Sequence, residues 1–293
     1  MGRPNLLVQH LGDIVSYFDQ LPYRSFTLNR LYTILESEKI TWGIHYRRTA
    51  KSILEFLIKN NLIQVTEFNE KNAITKIYSW KTRDEFTVIT GLKTDSYFMY
   101  YSSLFLHGLT QQIPKTYYLN TEHSSNATRI TEKQTLSQDA IDTAFAGEQR
   151  KSLHSYTLND KKIIITNGKN TNYLGVIINK NDDQYFQYTD LERTMIDVVV
   201  RPAYSGGVFE ILEAYRQAKG KLNVQRMASY LKKLNYIYPY HQAIGFYLEK
   251  AGYPEAELAL FDHKNKSFQF YLNYGIRNKE FSTRWNLYYP KGF

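Results

Sequence analysis

Cysteine is absent from all 293 residues. Its absence excludes disulfides, thiolate zinc sites, iron–sulfur clusters and a cysteine nucleophile, and it fits a reducing compartment. Long apolar runs are lacking too: no stretch approaches the ~18 residues that a membrane helix needs. The amphipathic opening stretch carries Asp13 and Asp19 and so lacks the unbroken apolar core of a signal peptide. There is no GxxxxGK loop followed by Ser or Thr, no GxGxxG, no HExxH and no GxSxG elbow. The seven histidines, His107 and His241 among them, are isolated and lack metal-ligand spacing. The sequence therefore names no cofactor, no metal site and no catalytic residue. Internal repeats and low-complexity segments are also missing.

What is present is ordinary for a folded chain. Hydrophobic residues make up 43% and charged residues 22%, enough apolar surface to offset chain entropy. The length suggests two domains. Lys and Arg exceed Asp and Glu by 9, and the excess is shared: +3 in residues 1–90 and +6 beyond. From Tyr215 to Lys233 there are six basic side chains and no acid. A basic balance of this kind suits a nucleic-acid partner, and it equally suits a solvated surface. The 26 tyrosines can stack on bases or pack a core, and their number does not choose.

The first 80 residues predict three helices and a hairpin. Leu7, Leu11, Ile14 and Phe18 make one apolar stripe of a helix over about 5–21, which Pro22 ends. Thr27 is placed to cap a second helix reaching about Ser37, with Leu28, Leu31, Ile34 and Leu35 inward. After a polar turn, a third helix over about 47–60 buries Ala50, Ile53, Leu54 and Leu57. Two strands follow, around Leu62–Val65 and Ile74–Tyr78, joined by a turn at Asn69–Asn72. Helix, helix, turn, helix and hairpin is the order of a winged helix-turn-helix. It is also the order of a small helical cap with no role on DNA.

The third helix separates by angle. Arg48, Lys51, Ser52, Glu55 and Lys59 share the face opposite the apolar one. A recognition helix needs such a face, with Arg suited to guanine and Lys and Ser to phosphate. Tyr46, Arg47 and Thr49 are expected at the helix start, where free N–H groups favour phosphate. Lys71 on the wing tip and Lys76 on the return strand suit backbone contacts, with Lys81 and Arg83 just beyond. The plain alternative is a solvated helix face in which Glu55 pairs with Lys51 and Lys59.

A domain boundary is expected near residue 90, giving a head over 1–90 and a larger mixed α/β domain over 91–293. The predicted fold class is thus α+β, an N-terminal winged helix-turn-helix followed by that mixed domain. In the second part, helices are expected over 97–107, 208–219 and 240–251, with a further one capped by Asn223. Strands are expected over 115–119, 153–158, 161–166 and 173–178, with a loop over 122–135. Thr189-Asp190-Leu191-Glu192 reads as a capping box opening another helix that must stop near Arg201, before Pro202. Three tail segments, 257–261, 268–272 and 285–289, look strand-like.

Two segments of this second part carry a resemblance. One is Leu106-His107-Gly108-Leu109-Thr110 with Pro114 and the strand Lys115–Leu119. The other is Tyr188-Thr189-Asp190-Leu191-Glu192-Arg193-Thr194-Met195-Ile196-Asp197 followed by Arg201-Pro202-Ala203-Tyr204-Ser205-Gly206-Gly207. Both resemble the AbiEi-type antitoxins of type IV, abortive-infection toxin–antitoxin systems, and the head matches that family's layout. The resemblance implies a cytoplasmic bacterial phage-defence protein that is not an enzyme. It implies a head that binds inverted repeats in double-stranded DNA of its own promoter and represses it. It implies a C-terminal domain that neutralises a nucleotidyltransferase-like toxin, without a stable complex and without a membrane partner. On that basis Glu192, Arg193, Asp197, Arg201, Arg216, Lys219 and Arg226 are a candidate antitoxin surface. The same residues also have a structural reading, since Arg193 and Asp197 stand at i,i+4 on one helix. A module that binds its toxin directly stays open, as do two other functions. One is a ligand-responsive transcription factor whose aromatic second half holds a small molecule. The other is a DNA-targeted nuclease with a metal at Asp182 and Asp183.

Overall fold

The computed structural model describes residues 6–123, 136–181, 183–262 and 266–293. The architecture is mixed α/β. The chain divides into two compact units, and neither is one continuous stretch. The first holds the described residues up to Tyr97 together with Ser155–Ile163 and Ile178–Gln187, and the second holds the rest. This differs from a single boundary near residue 90. Hydrophobic alternation identifies a strand, but it does not say which remote strand will pair with it.

The first unit begins with a helical turn α1 (Leu6–Gln9) and helix α2 (Leu11–Gln20), separate elements where one helix was expected. The predicted start at Asn5 lies outside the described residues. Strand β1 (Ser25–Thr27) leads into α3 (Leu28–Glu38), where the Thr27 hydroxyl accepts from the Arg30 N–H. Helix α4 (Ala50–Lys59) buries Ala50, Ile53, Leu54 and Leu57, the four positions its spacing predicts. Strands β2 (Ile63–Glu70) and β3 (Ala73–Trp80) then form an antiparallel hairpin from Ile63↔Trp80 to Glu70↔Ala73. Lys71 at its tip turns the chain in the left-handed region, at φ +46°. Helix α5 (Glu85–Thr90) occupies a stretch whose pattern gave no prediction; Asp84 caps it by accepting from the Thr87 N–H at 2.8 Å.

The core of this unit is aromatic and aliphatic. Trp80 stacks on Phe18 with centroids 4.6 Å apart and an interplanar angle of 20°. Its indole N–H donates to Asp19 at 2.7 Å, and Lys81 pairs with the same carboxylate at 2.9 Å. A buried indole needs such an acceptor, so the pair fixes the end of β3 against α2. Strand β1 lies beside β3 and β2 beside β6.

Later strands are β4 (Ser96–Phe98), β5 (Thr116–Glu122), β6 (Ser155–Leu158), β7 (Lys161–Gly168), β8 (Val176–Lys180) and β9 (Tyr185–Thr189). The predicted helix over 97–107 is shorter: β4 takes its start, and α6 (Tyr101–Leu106) follows Tyr100 at φ +55°. Much of the loop expected over 122–135, including Ser124, Ser125 and Asn126, lies outside the described residues.

The second unit packs its helices around one apolar core. These are α7 (Gln138–Ala146), α8 (Leu191–Val200), α9 (Val208–Ala218), α10 (Val224–Leu234), α11 (Tyr240–Lys250) and the short α12 (Glu255–Leu258). Met195, Ile196, Ile211, Tyr215, Met227, Ile244 and Tyr247 are all fully buried there. Gly206 and Gly207, at φ +81° and +90°, make the turn before α9 that a side chain would strain. Gly245 serves a close approach: a Cβ there would stand 2.0 Å from the ring of buried Trp285. Strands β10 (Phe270–Tyr271), β11 (Lys279–Ser282) and β12 (Leu287–Pro290) form a small sheet in the order β10-β12-β11. The predicted strand over 257–261 is instead the end of α12 and the turn after it. Proline at 254 and Glu255 are good helix-opening residues and outweigh the short apolar run.

Candidate nucleic-acid interface

The basic face expected on the third helix is present, with its first turn arranged differently. Helix α4 begins at Ala50, so Tyr46, Arg47 and Arg48 sit in the turn before it. Thr49 is the cap, and its hydroxyl accepts from the Ser52 N–H at 3.3 Å. The Ala50 N–H is taken by the Glu36 carboxylate at 2.7 Å. Ser52 turns its hydroxyl onto the Thr49 carbonyl at 3.1 Å and is half-buried. Helix-start donors that the sequence reading reserved for phosphate are thus occupied within the protein. A carboxylate already complements the helix dipole there. Glu36 stands 14 residues before its partner, on the preceding helix, so no local motif announces it.

That arrangement fixes the turn it leaves exposed. Lys39 pairs with Glu36 at 2.5 Å and donates to the carbonyls of Tyr46 at 3.0 Å and Arg48 at 3.1 Å. On the turn, the rings of His45 and Tyr46 lie 4.4 Å apart. Arg47 donates to the Tyr46 hydroxyl at 3.0 Å with its guanidinium 5.5 Å from the ring centroid. Tyr46 is 60% exposed, and Arg47 and Arg48 are exposed beside it. The turn therefore presents a planar aromatic and cationic group on a backbone held from behind.

Lys51, Glu55 and Lys59 are exposed along α4. Among the described residues neither lysine forms an ion pair, so the i,i+4 pairing with Glu55 is not made. Lys71 stands exposed at the hairpin tip, likewise without an ion pair. Lys76 differs. It pairs across the hairpin with Glu67 at 2.8 Å, its register partner, which holds its charge locally.

The seven residues proposed for an antitoxin surface do not form one surface. Glu192, Arg193 and Asp197 are buried at 1%, 3% and 1% exposure. Arg193 Nε reaches both Asp197 oxygens at 2.8 and 3.0 Å, and the guanidinium also donates to the Leu174 carbonyl at 2.8 Å. Burial pushes the Asp197 carboxyl up against the pull of Arg193. The expected capping box is also rearranged. Asp190 is the cap, accepting from the Arg193 N–H at 2.8 Å, which moves Glu192 one position too early to complete the box. Glu192 instead accepts from the Asn223 N–H at 2.9 Å and pairs with Arg226, tying α8 to the start of α10. Arg201 is half-buried. Lys219 donates to the Gly252 carbonyl, and Arg216 lies 3.5 Å from Glu213. His107 is the residue after α6, and its ring bonds the Thr189 carbonyl at 2.8 Å; burial lowers its pKa.

Among the described residues no group of three His, Cys, Asp or Glu side chains is placed to hold a metal. Asp182, one of the two carboxylates of the nuclease reading, lies outside the described residues. No helix among the described residues is long and apolar enough to cross a membrane.

No family model and no curated protein matches this sequence. Among solved structures, the chain is similar to the crystal structure of the RV2827C protein from Mycobacterium tuberculosis. The TM-score is 0.53 at 11% identity, over 96% of this chain and 91% of that one. At that identity the similarity is one of fold.

Proposed function

We propose that the head is a winged helix-turn-helix that binds double-stranded DNA, and that the chain is an AbiEi-like, non-enzymatic antitoxin repressing its own operon. In this reading α3 and α4 are the helix pair, and β2 and β3 are the wing. Arg48, Lys51 and Lys59 face the major groove, with Tyr46 and Arg47 on the flanking backbone. Lys71 meets a phosphate from the wing tip. The observation that carries the reading is the exposed basic face of α4, continuous with a braced Tyr46–Arg48 turn, in which Lys51 and Lys59 have no carboxylate partner among the described residues. Unpaired cations on a rigid element are what phosphate and base-edge contacts require.

Neutralisation of a nucleotidyltransferase-like toxin falls to the second unit. With Glu192, Arg193 and Asp197 inside, its outer basic groups include Arg216, Lys219 and Arg226, beside Lys221, Lys232 and Lys233. The test is a double substitution, Arg48→Ala with Lys51→Ala, read by fluorescence anisotropy on DNA from just upstream of the gene. Loss of the preference over scrambled DNA, with an unchanged circular dichroism spectrum, is expected. Unchanged affinity would remove α4 from the interface. Toxin rescue in cells, by contrast, should survive this double variant.

A further inference from the structure

A cleft of about 290 Å³ opens in the first unit, beside the start of α3. Tyr23, Ser25, Arg30, Lys93, Asp95 and Gln187 are among its walls. Two features give it a chemical preference. The Arg30 guanidinium is stacked over the Tyr23 ring at 3.8 Å, which holds its direction. Neither Arg30 nor Lys93 forms an ion pair among the described residues, although both line the same cleft. Its floor is fixed: Gly91 lies so close to the core that a Cβ would stand 2.5 Å from Ile77 Cγ2. The volume sits near the lower end of small-ligand sites, roughly 300 Å³ and upward.

We propose that this cleft binds a small anion through a carboxylate or phosphate group held by Arg30 and Lys93, and that occupancy adjusts DNA binding. The connection to DNA is α3. Thr27 and Arg30 at its start line the cleft. Glu36 and Lys39 at its other end hold the α4 N-terminus and the Tyr46–Arg48 turn. Eleven residues of helix make a rod of about 16 Å, stiff enough that a shift at one end displaces the other. The ligand site stands on its own, and only the effect on DNA rests on the function proposed above.

Thermal melting of the full chain provides the test, with inorganic phosphate and citrate as separate probes at ionic strength held constant with chloride. At about ten times its dissociation constant, at least one probe should raise Tm by about 2–4 °C. Lys93→Met and Arg30→Met should each abolish that rise while melting close to wild type on their own. Should Arg30→Met melt low, Lys93→Met decides, since Lys93 lies in the turn after α5. The effective probe should then also weaken binding to the upstream DNA in wild type more than in Lys93→Met. Absence of any rise, or an equal rise in the variants, overturns the site. So does a loss of DNA affinity in Lys93→Met without a probe-dependent rise, which would make the cleft a DNA-backbone contact. A rise without an effect on DNA binding keeps the site and overturns the coupling. If the upstream DNA does not bind at all, the failure belongs to the proposed function, and the melting result still judges the cleft.

Discussion

The two units use charge in opposite ways. Among the described residues, the first turns Lys51, Lys59 and Lys71 outward without ion-pair partners and uses two carboxylates for bracing, Glu36 at the start of α4 and Asp19 under Trp80. The second draws Arg193 and Asp197 inside, with Arg193 Nε shared between both carboxylate oxygens, and anchors Arg226 on buried Glu192. Outward cations without carboxylate partners are what phosphate contacts require. Inward pairs mark an architecture that must be held in one arrangement, because a charge left alone in the interior is costly. Abundance of charge thus says little about function until burial is known.

The contrast breaks most sharply at Arg193. Arg193→Ala leaves the buried Asp197 carboxylate uncompensated and should cost about 3–5 kcal/mol, read as a fall in Tm. A variant that melts like wild type would show that the pair is not structural. An intermediate effect is expected on the DNA side. Lys51→Ala with Lys59→Ala should reduce the slope of log K against log salt by about 1 for each lysine, while Lys76→Ala, already paired with Glu67, should change it little. Equal reductions from all three would show that local pairing does not decide which lysines bind.

The smallest effect is a pH dependence at Asp19. Partial burial raises its pKa, but hydrogen bonds from Trp80 and Lys81 outweigh that and hold the carboxyl below its ordinary value. Its folded pKa is therefore lower than its unfolded one. The stability it contributes is present above the unfolded pKa and is lost as pH falls through the folded value. Asp19→Asn should flatten that acid limb of the Tm–pH curve, and an unchanged limb would assign it to other carboxylates.

Much of the head was legible because its signals are local. Thr27 caps α3 as its position predicts, the apolar faces of α3 and α4 follow the helical period, and Lys71–Asn72 turns a hairpin between alternating strands. What stayed hidden depends on remote partners. Nothing near Ala50 announces that Glu36 will occupy its N–H, so the helix start read as open to phosphate. The pattern Thr189 to Glu192 fits a capping box, yet Asp190 competes as the cap and sends Glu192 to Asn223 and Arg226. Strand β6 shows its type, but not that it belongs with the head, and β9 lies where no strand was expected. The cleft beside α3 was not visible at all, because its walls come from residues 22–30, 90–96 and 185–187.

The central claim is that the braced basic face of the head reads DNA. Fluorescence anisotropy of the full chain across a salt series, with DNA from just upstream of the gene against scrambled DNA of equal length, tests it most directly. The account predicts binding to the upstream DNA tighter by about 10³ or more, with a log–log slope of about −0.9 for each phosphate contact. Equal, weak binding to both DNAs would contradict it.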